Sequence, residues 1–109
     1  DGSQYRDFMT INPLKEVIFE FINSNKNQGT YNLGSGKSLT VLELAHKISI
    51  ICNEIFDYKP SIKISNKKYS NSYFKLGISK IKRDFNYKSE SSIDKAISEL
   101  LIYCKMNFL

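Results

Sequence analysis

The feature that most constrains this chain is a strand-like segment followed by a glycine turn and a helix start. Residues 30–33 have the β-branched and aromatic content of a short strand. Gly34 and Gly36 tolerate positive φ, which suits a reversal of the chain directly after that segment. Thr40 stands three residues before Glu43, the spacing of a capping box. This stretch therefore predicts a strand, a tight turn and a capped helix.

The helix predicted after Thr40 has one apolar face, because its apolar residues recur at intervals of three and four. They are Val41, Leu44, Ala45, Ile48, Ile51, Cys52 and Ile55. A glycine turn before a helix is also how some proteins bind phosphate at the helix N-terminus. However, the sequence lacks both G-x-x-x-x-G-K-[ST] and G-x-G-x-x-G, and Gly36 lies several residues before the helix cap. The spacing favours a structural turn over a phosphate-binding loop.

The composition indicates one small globular domain. The chain has 109 residues, of which 41% are hydrophobic and 25% charged, close to the averages for globular proteins. No apolar run approaches about 20 residues, so we expect no membrane partner and a cytoplasmic location. The net charge of +5 suits a phosphate-bearing partner. That signal is weak because the lysines are spread along the chain and are dense only in residues 63–88.

The residues that commonly hold metals or form disulfides give little indication of either role. Cys52 and Cys104 fall on apolar helix faces, which predicts two buried thiols. The sequence has no C-x-x-C motif and no Cys/His cluster. His46, the single histidine, lies beside an apolar stripe, where a surface role is expected. We predict no metal site.

The first third of the chain predicts an extended piece and a helix. The start is polar and has no initiator methionine, which suggests a portion of a longer protein. Residues 5–11 read as extended, and Asn12 followed by Pro13 predicts a helix start. Gly29 would end that helix. Its predicted buried face consists of Leu14, Val17, Ile18, Phe21 and Ile22.

The last half predicts an edge strand, a loop and two more helices. Polar and apolar residues alternate over residues 61–65, as in a strand, with Ile62 and Ile64 expected to point inward. Residues 66–73 form a basic and aromatic loop, and residues 78–85 have the spacing of a short helix. Ser91 or Ser92 would cap a final helix, whose apolar positions are Ile93, Ile97, Leu100 and Cys104. The expected class is α+β, with about four helices and a few short strands.

Four segments in consistent order, which together extend over most of the chain, resemble a known family. They are D-G-S-Q-Y-R-D-F at residues 1–8, Y-N-L-G-S-G at 31–36, L-T-V-L-E-L-A at 39–45 and I-S-K at 78–80. This order resembles the carboxy-terminal part of the extended short-chain dehydrogenase/reductases, the NAD-dependent epimerases and dehydratases of nucleotide sugars. The resemblance implies that residues 1–109 form a nucleotide-sugar-binding domain.

The resemblance also implies substrate-binding residues. Arg6 matches the family's arginine that contacts the substrate diphosphate, for which a planar guanidinium is well suited. From the residues alone, an ion pair between Arg6 and a nearby carboxylate is the alternative. A second basic contact falls on Lys67, with Lys68 an equal candidate. Ser70 takes the place of a family aspartate and does not offer its carboxylate.

The catalytic apparatus of that family is not in this sequence. The resemblance implies that NAD(P) binds an amino-terminal Rossmann domain of the parent protein, which also carries a Tyr-x-x-x-Lys pair. No tyrosine here has a lysine four positions later. We therefore expect no cofactor and no catalysis in this chain alone, with a homodimer possible for the parent. The alternative is a free-standing basic module that uses residues 63–73 to bind single-stranded nucleic acid or an acidic partner, nucleic acid being the less expected.

Overall fold

A computed structural model describes residues 1–24, 29–66, 72–89 and 92–108. These residues form a small α+β domain with four helices and two short antiparallel strands, which confirms the predicted class. In chain order the elements are β1 (Tyr5–Arg6), α1 (Ile11–Asn23), β2 (Leu39–Thr40), α2 (Val41–Phe56), α3 (Ser79–Phe85) and α4 (Ile93–Phe108).

The two strands form a ribbon between the start of the chain and the residues before α2. Tyr5 lies opposite Thr40, and Arg6 lies opposite Leu39. The strand predicted at residues 30–33 is therefore wrong, since the strand is found after the glycine turn and not before it. Because the partner of β1 is chosen by contacts distant in sequence, local strand propensity did not identify it.

Residues 30–33 are held by side chains instead of a strand ladder. The Tyr31 hydroxyl donates to Asp84 Oδ2 at 3.1 Å. The Asn32 amide donates to the Gly77 carbonyl at 3.2 Å. The strand predicted at residues 61–65 is also wrong, because that segment is irregular and Ile64 is 55% exposed.

Helix α1 starts earlier and buries less than the sequence suggested. It begins at Ile11, so the predicted cap at Asn12 is wrong, and the residue before it, Thr10, forms no side-chain cap bond. Ile18 and Ile22 are 47% and 75% exposed, which contradicts their prediction as core residues. The apolar period identified a helix face correctly, but the described residues cover only part of that face.

Helix α2 begins at the predicted capping box. The Thr40 hydroxyl accepts from the Glu43 N–H at 3.0 Å, and the Glu43 carboxylate accepts from the Thr40 N–H at 2.6 Å. Cys52 is buried as predicted, while Cys104 on α4 is half-buried, and both thiols are free. Helix α2 packs against α4.

The main core lies under α3, which was predicted almost to its ends. Its buried members come from α1, from α3 and from the residues on either side of α3; they are Val17, Ile78, Ile81, Phe85 and Tyr87. Phe21 of α1 stacks on Phe85 with ring centroids 4.1 Å apart. This aromatic packing fixes α3 against α1.

The final helix, α4, begins after Ser92, one of its two predicted caps. The Ser92 hydroxyl accepts from the Lys95 N–H at 3.3 Å. Ser91, the other candidate, lies outside the described residues. Ile97 is buried as expected, but Leu100 is 62% exposed, so its predicted place in the core is wrong.

The domain is flat, with principal extents of 49 × 38 × 19 Å. Its radius of gyration is 17.0 Å, larger than the roughly 13 Å of a compact domain of about 100 residues. Large apolar side chains accordingly remain exposed along α1 and α4. In the parts of the chain that the structure describes, no helix is long and apolar enough to cross a membrane.

Candidate anion-binding site

Arg6, the predicted diphosphate contact, is an exposed residue of β1. Its Nη1 donates to the carbonyl of the preceding residue, Tyr5, at 2.7 Å. Among the described residues, Arg6 forms no ion pair with a carboxylate. The ion-pair alternative for this residue therefore has no support in this part of the chain, and the guanidinium retains donors for a ligand.

The other predicted contacts, Lys67, Lys68 and Ser70, lie outside the described residues. The described end of their loop returns to the ribbon. The ring of Tyr73 packs edge-on against Tyr5, with centroids 5.1 Å apart. The neighbouring Phe74 carbonyl accepts a hydrogen bond from the Ser38 hydroxyl. The loop thus ends beside the strand that carries Arg6.

The glycine turn is held by a carboxylate from the first segment of the chain. Oδ1 of Asp7 accepts from the Ser35 N–H at 2.7 Å, and Oδ2 accepts from the Gly36 N–H at 3.0 Å. Gly36 has a φ of +70°, and a Cβ there would lie 2.6 Å from the Ile78 side chain. Gly34 has no positive φ, but a Cβ on it would lie 2.8 Å from Asp7. Gly36 is thus favoured both by its positive φ and by the lack of space for a Cβ, whereas Gly34 is favoured by the lack of space alone.

These contacts confirm the structural interpretation of the turn. The amides that would face a phosphate already donate to Asp7. The first amides of α2 are also taken: Val41 donates to the Gln4 carbonyl at 3.1 Å and Leu42 to the Gly2 carbonyl at 2.8 Å. A dinucleotide pyrophosphate needs such amides free. The amides of the turn and of the start of α2 are therefore not free for a pyrophosphate.

Tyr87 also holds the glycine turn in place. Its buried hydroxyl donates to the Gly34 carbonyl at 2.9 Å. Burial, assisted by the negative charge of Asp7, raises the pKa of this phenol above its ordinary value. The phenol therefore acts as a neutral donor and does not supply a phenolate for chemistry.

The tripeptide R-D-F occurs twice, and only the first copy leaves its arginine unpaired among the described residues. In the second copy, on α3, Nε of Arg83 donates to Oδ1 of Asp84 at 2.8 Å. In the first copy the carboxylate of Asp7 is occupied by the glycine turn. The arginine of this tripeptide is therefore ion-paired with its neighbouring aspartate on α3, whereas Arg6 on β1 is not paired with Asp7.

Sequence reasoning missed a basic cleft of about 790 Å³ beside the ribbon. It lies between the glycine turn, the end of α3 and the start of α4. The lysines that line it are Lys37, Lys47, Lys82 and Lys88. They come from four separate segments, so no local motif could have revealed the cluster. We call this feature the basic cleft.

Among the described residues, the charges that line the basic cleft are not balanced. Asp94 is the single carboxylate of this described lining, and it pairs with Lys47 at 2.9 Å. The remaining three lysines form no ion pair with any described residue. Leu39, which also lines the cleft, lies directly opposite Arg6 in the ribbon. Opposite residues share a face of a two-stranded ribbon, so Arg6 projects from the side on which the cleft lies.

Other candidate chemistry is weaker. His46 is exposed on α2, as expected. Within the ranges that the structure describes, no group of three or more His, Cys, Asp or Glu side chains is placed to hold a metal ion. The arrangement is therefore best suited to binding anions through arginine and lysine.

No protein-family model matches this chain, and a search of curated proteins finds no match. The family resemblance therefore depends on the residues quoted above.

Proposed function

We propose that this chain is the nucleotide-sugar-binding, carboxy-terminal portion of an NAD-dependent epimerase or dehydratase of the extended short-chain dehydrogenase/reductase type. Arg6 binds the substrate diphosphate. Lys67 or Lys68 assists from the loop that ends at Tyr73. NAD binding and hydride transfer belong to a Rossmann domain of the same parent, so this portion alone binds substrate and does not turn it over.

The observation that carries the proposal is the double hydrogen bond between Asp7 and the glycine turn. The two most specific parts of the resemblance are the R-D-F segment and the Y-N-L-G-S-G segment, which are separated by more than twenty residues. Asp7 of the first segment binds Ser35 and Gly36 of the second. A chance resemblance gives no reason for the two segments to meet, whereas a shared ancestral fold does.

The availability of Arg6 is the second support. A guanidinium that donates to a diphosphate makes charge-assisted, bidentate hydrogen bonds. Arg6 is exposed, and one of its nitrogens is fixed by the Tyr5 carbonyl. This contact restrains the side chain and uses one of its donors, which leaves the others for a ligand.

The exposed apolar helix faces support a partner domain. Helix α1 exposes Ile11, Ile18, Phe19 and Ile22, each at least 47% accessible. Apolar patches of this kind usually mark interaction surfaces. In the proposal this face packs against other parts of the parent, including its Rossmann domain.

Binding of nucleotide sugars to the chain tests the proposal. Calorimetric titration with UDP-, dTDP-, CDP- and GDP-sugars at one salt concentration should show a preference for one base. Arg6→Ala should lower the affinity for the preferred nucleotide sugar roughly tenfold or more, which is the usual effect of losing one charge-assisted hydrogen bond. Arg6→Lys should recover part of that loss because it restores charge without the bidentate fork.

Arg83→Ala is the matched control, because it removes the same side chain from the second R-D-F copy. It should leave affinity unchanged. Equal losses in both arginine variants, or equal affinity for all four nucleotides, would contradict the proposal. Affinity for single-stranded oligonucleotides that falls steeply with salt would favour the basic-module alternative instead.

A further inference from the structure

We propose that the basic cleft is a second anion site, distinct from Arg6, which binds a small organic molecule carrying two or more phosphate charges. The inference goes beyond the proposed function because none of its lysines belongs to the resemblance. It depends on the convergence of side chains that the fold, and not the sequence, brings together.

The charge of the cleft is the first argument. Of the described residues, four lysines and one aspartate line it, an excess of three positive charges in this part of the chain. Like charges that line one cleft repel one another, and salt screens this repulsion over a length of about 8–10 Å. Lys37, Lys82 and Lys88 are exposed and form no ion pair with a described carboxylate. A multivalent anion would relieve this repulsion, and a monovalent anion would relieve only part of it.

The hydrogen-bonding groups around the lysines suit phosphate oxygens. Ser35, Ser89 and Ser92 line the same cleft, and of these the Ser35 hydroxyl already donates to the Lys37 carbonyl at 3.0 Å. The N-terminus of α4 also lies there, since Ser92, Ile93 and Asp94 are part of the lining. A sixteen-residue helix carries a partial positive charge at that end, which adds to the lysine field.

The apolar part of the lining indicates an organic ligand and not a bare ion. Phe8, Leu39, Tyr87 and Ile93 contribute to the wall. Of these, Tyr87 is largely buried, and its hydroxyl donates to the Gly34 carbonyl. The cleft volume of about 790 Å³ falls within the range of roughly 300–1,000 Å³ typical of small-molecule sites. The site therefore combines a cationic rim with an apolar wall of the size of a nucleotide.

The first experiment titrates the ¹⁵N-labelled chain with inorganic pyrophosphate, inorganic phosphate and uridine diphosphate, and follows backbone amide shifts. Pyrophosphate should shift the amides of Lys37, Lys82, Lys88 and Ser92. Phosphate should bind more weakly because it carries fewer charges. Uridine diphosphate should bind more tightly than pyrophosphate because its base and ribose contact the apolar wall.

Charge-removing variants then locate the site. The double variant Lys82→Gln with Lys88→Gln should lower the affinity for pyrophosphate roughly tenfold or more, the usual effect of losing charge-assisted contacts. Lys15→Gln with Lys63→Gln removes the same total charge from exposed positions outside the cleft, and should change affinity less than about twofold, the effect of screened surface charge. Equal effects of the two double variants would overturn the site.

Arg6→Ala separates this inference from the proposed function. It should weaken pyrophosphate binding at the cleft less than Lys82→Gln with Lys88→Gln does, because Arg6 is next to the lining in the ribbon but is not part of it. Loss of pyrophosphate binding in Arg6→Ala would mean one continuous site and would overturn the second. An oligonucleotide that binds through the same lysines more tightly than uridine diphosphate would overturn the small-molecule assignment.

Discussion

The carboxylate of Asp7 binds the backbone of Ser35: Oδ1 accepts its N–H at 2.7 Å, and Oδ2 accepts the next N–H, that of Gly36, at 3.0 Å. This contact connects the ribbon to the turn before α2. It also keeps the turn from serving as a phosphate loop, since its amides are already satisfied. The availability of Arg6, the shape of the turn and one wall of the basic cleft all depend on it.

Removal of the Asp7 carboxylate should therefore destabilise the domain. Asp7→Ala leaves two partly buried amides without an acceptor, at a cost of about 1–3 kcal/mol in the free energy of unfolding. Asp7→Asn keeps one acceptor oxygen and should cost less. Urea unfolding of the full chain measures both. Asp94→Ala is the control, because it removes an exposed ion pair worth about 0–1 kcal/mol; a larger loss in Asp94→Ala than in Asp7→Ala would contradict this role.

The glycine turn should reject a side chain at Gly36. An alanine there combines a φ of +70° with a Cβ 2.6 Å from Ile78, so Gly36→Ala should cost more than about 1 kcal/mol. Gly77→Ala is the matched control, because a Cβ at Gly77 would have no neighbour within 4 Å. Its effect on the thermal midpoint should be small. Equal shifts in the two midpoints would show that the turn is not constrained as described.

The Tyr87 hydroxyl should contribute both stability and pH dependence. Tyr87→Phe leaves the Gly34 carbonyl without its donor and should cost about 1 kcal/mol. Burial, with a smaller contribution from Asp7, raises the folded pKa of Tyr87 above the ordinary value of 10.0. The stability that it provides is therefore complete below that value and is lost as pH rises through the folded pKa.

Unfolding measured from pH 8 to pH 11 should accordingly show a shallower decline for Tyr87→Phe than for the native chain. Tyr58→Phe, at a tyrosine that is 64% exposed, controls for loss of a hydroxyl. An unchanged decline in Tyr87→Phe would mean that the phenol is not held neutral by its surroundings. The Tyr31 phenol, whose pKa is raised by partial burial and by its hydrogen bond to Asp84, should contribute to the alkaline dependence that remains.

The capping box should stabilise α2 in a pH-dependent way. Thr40→Ala removes the hydroxyl that accepts from Glu43, at a cost of about 1 kcal/mol. The backbone N–H of Thr40, then its hydroxyl, lowers the folded pKa of Glu43 below 4.5. The stability linked to that carboxylate is present above pH 4.5 and is lost as pH falls through the folded pKa. Glu43→Gln should flatten the acid limb of the unfolding profile, whereas Glu54→Gln, at an exposed position on the same helix, should not.

Local chemistry in the sequence predicted much of this fold. The capping box at Thr40 and the cap at Ser92 involve residues within a turn of one another, so their spacing alone identifies them. The strand opposite Tyr5 was misplaced because its pairing joins residues 35 positions apart. The composition of one segment does not indicate which distant segment it pairs with. Ile18 and Ile22 were assigned to the core because periodicity shows which face is apolar, not whether anything covers it.

The candidate site divides in the same way. Arg6 was predicted as a ligand contact from the family resemblance, and the structure places it exposed, beside the described end of the predicted loop. The basic cleft was not found, because its lysines come from a turn, two helices and a connecting segment that meet only in the fold. Recognition of such a cluster requires the three-dimensional arrangement.

The measurement that tests the central proposal most directly is the sequence of the native coding region upstream of Asp1. The proposal predicts a strand followed by G-x-x-G-x-x-G and, further on, a Tyr-x-x-x-Lys pair, the parts that an NAD-dependent parent requires. A start codon within a few residues of Asp1 would contradict it. In that case the chain would be a free-standing module, and anion binding through the basic cleft would be the function to pursue.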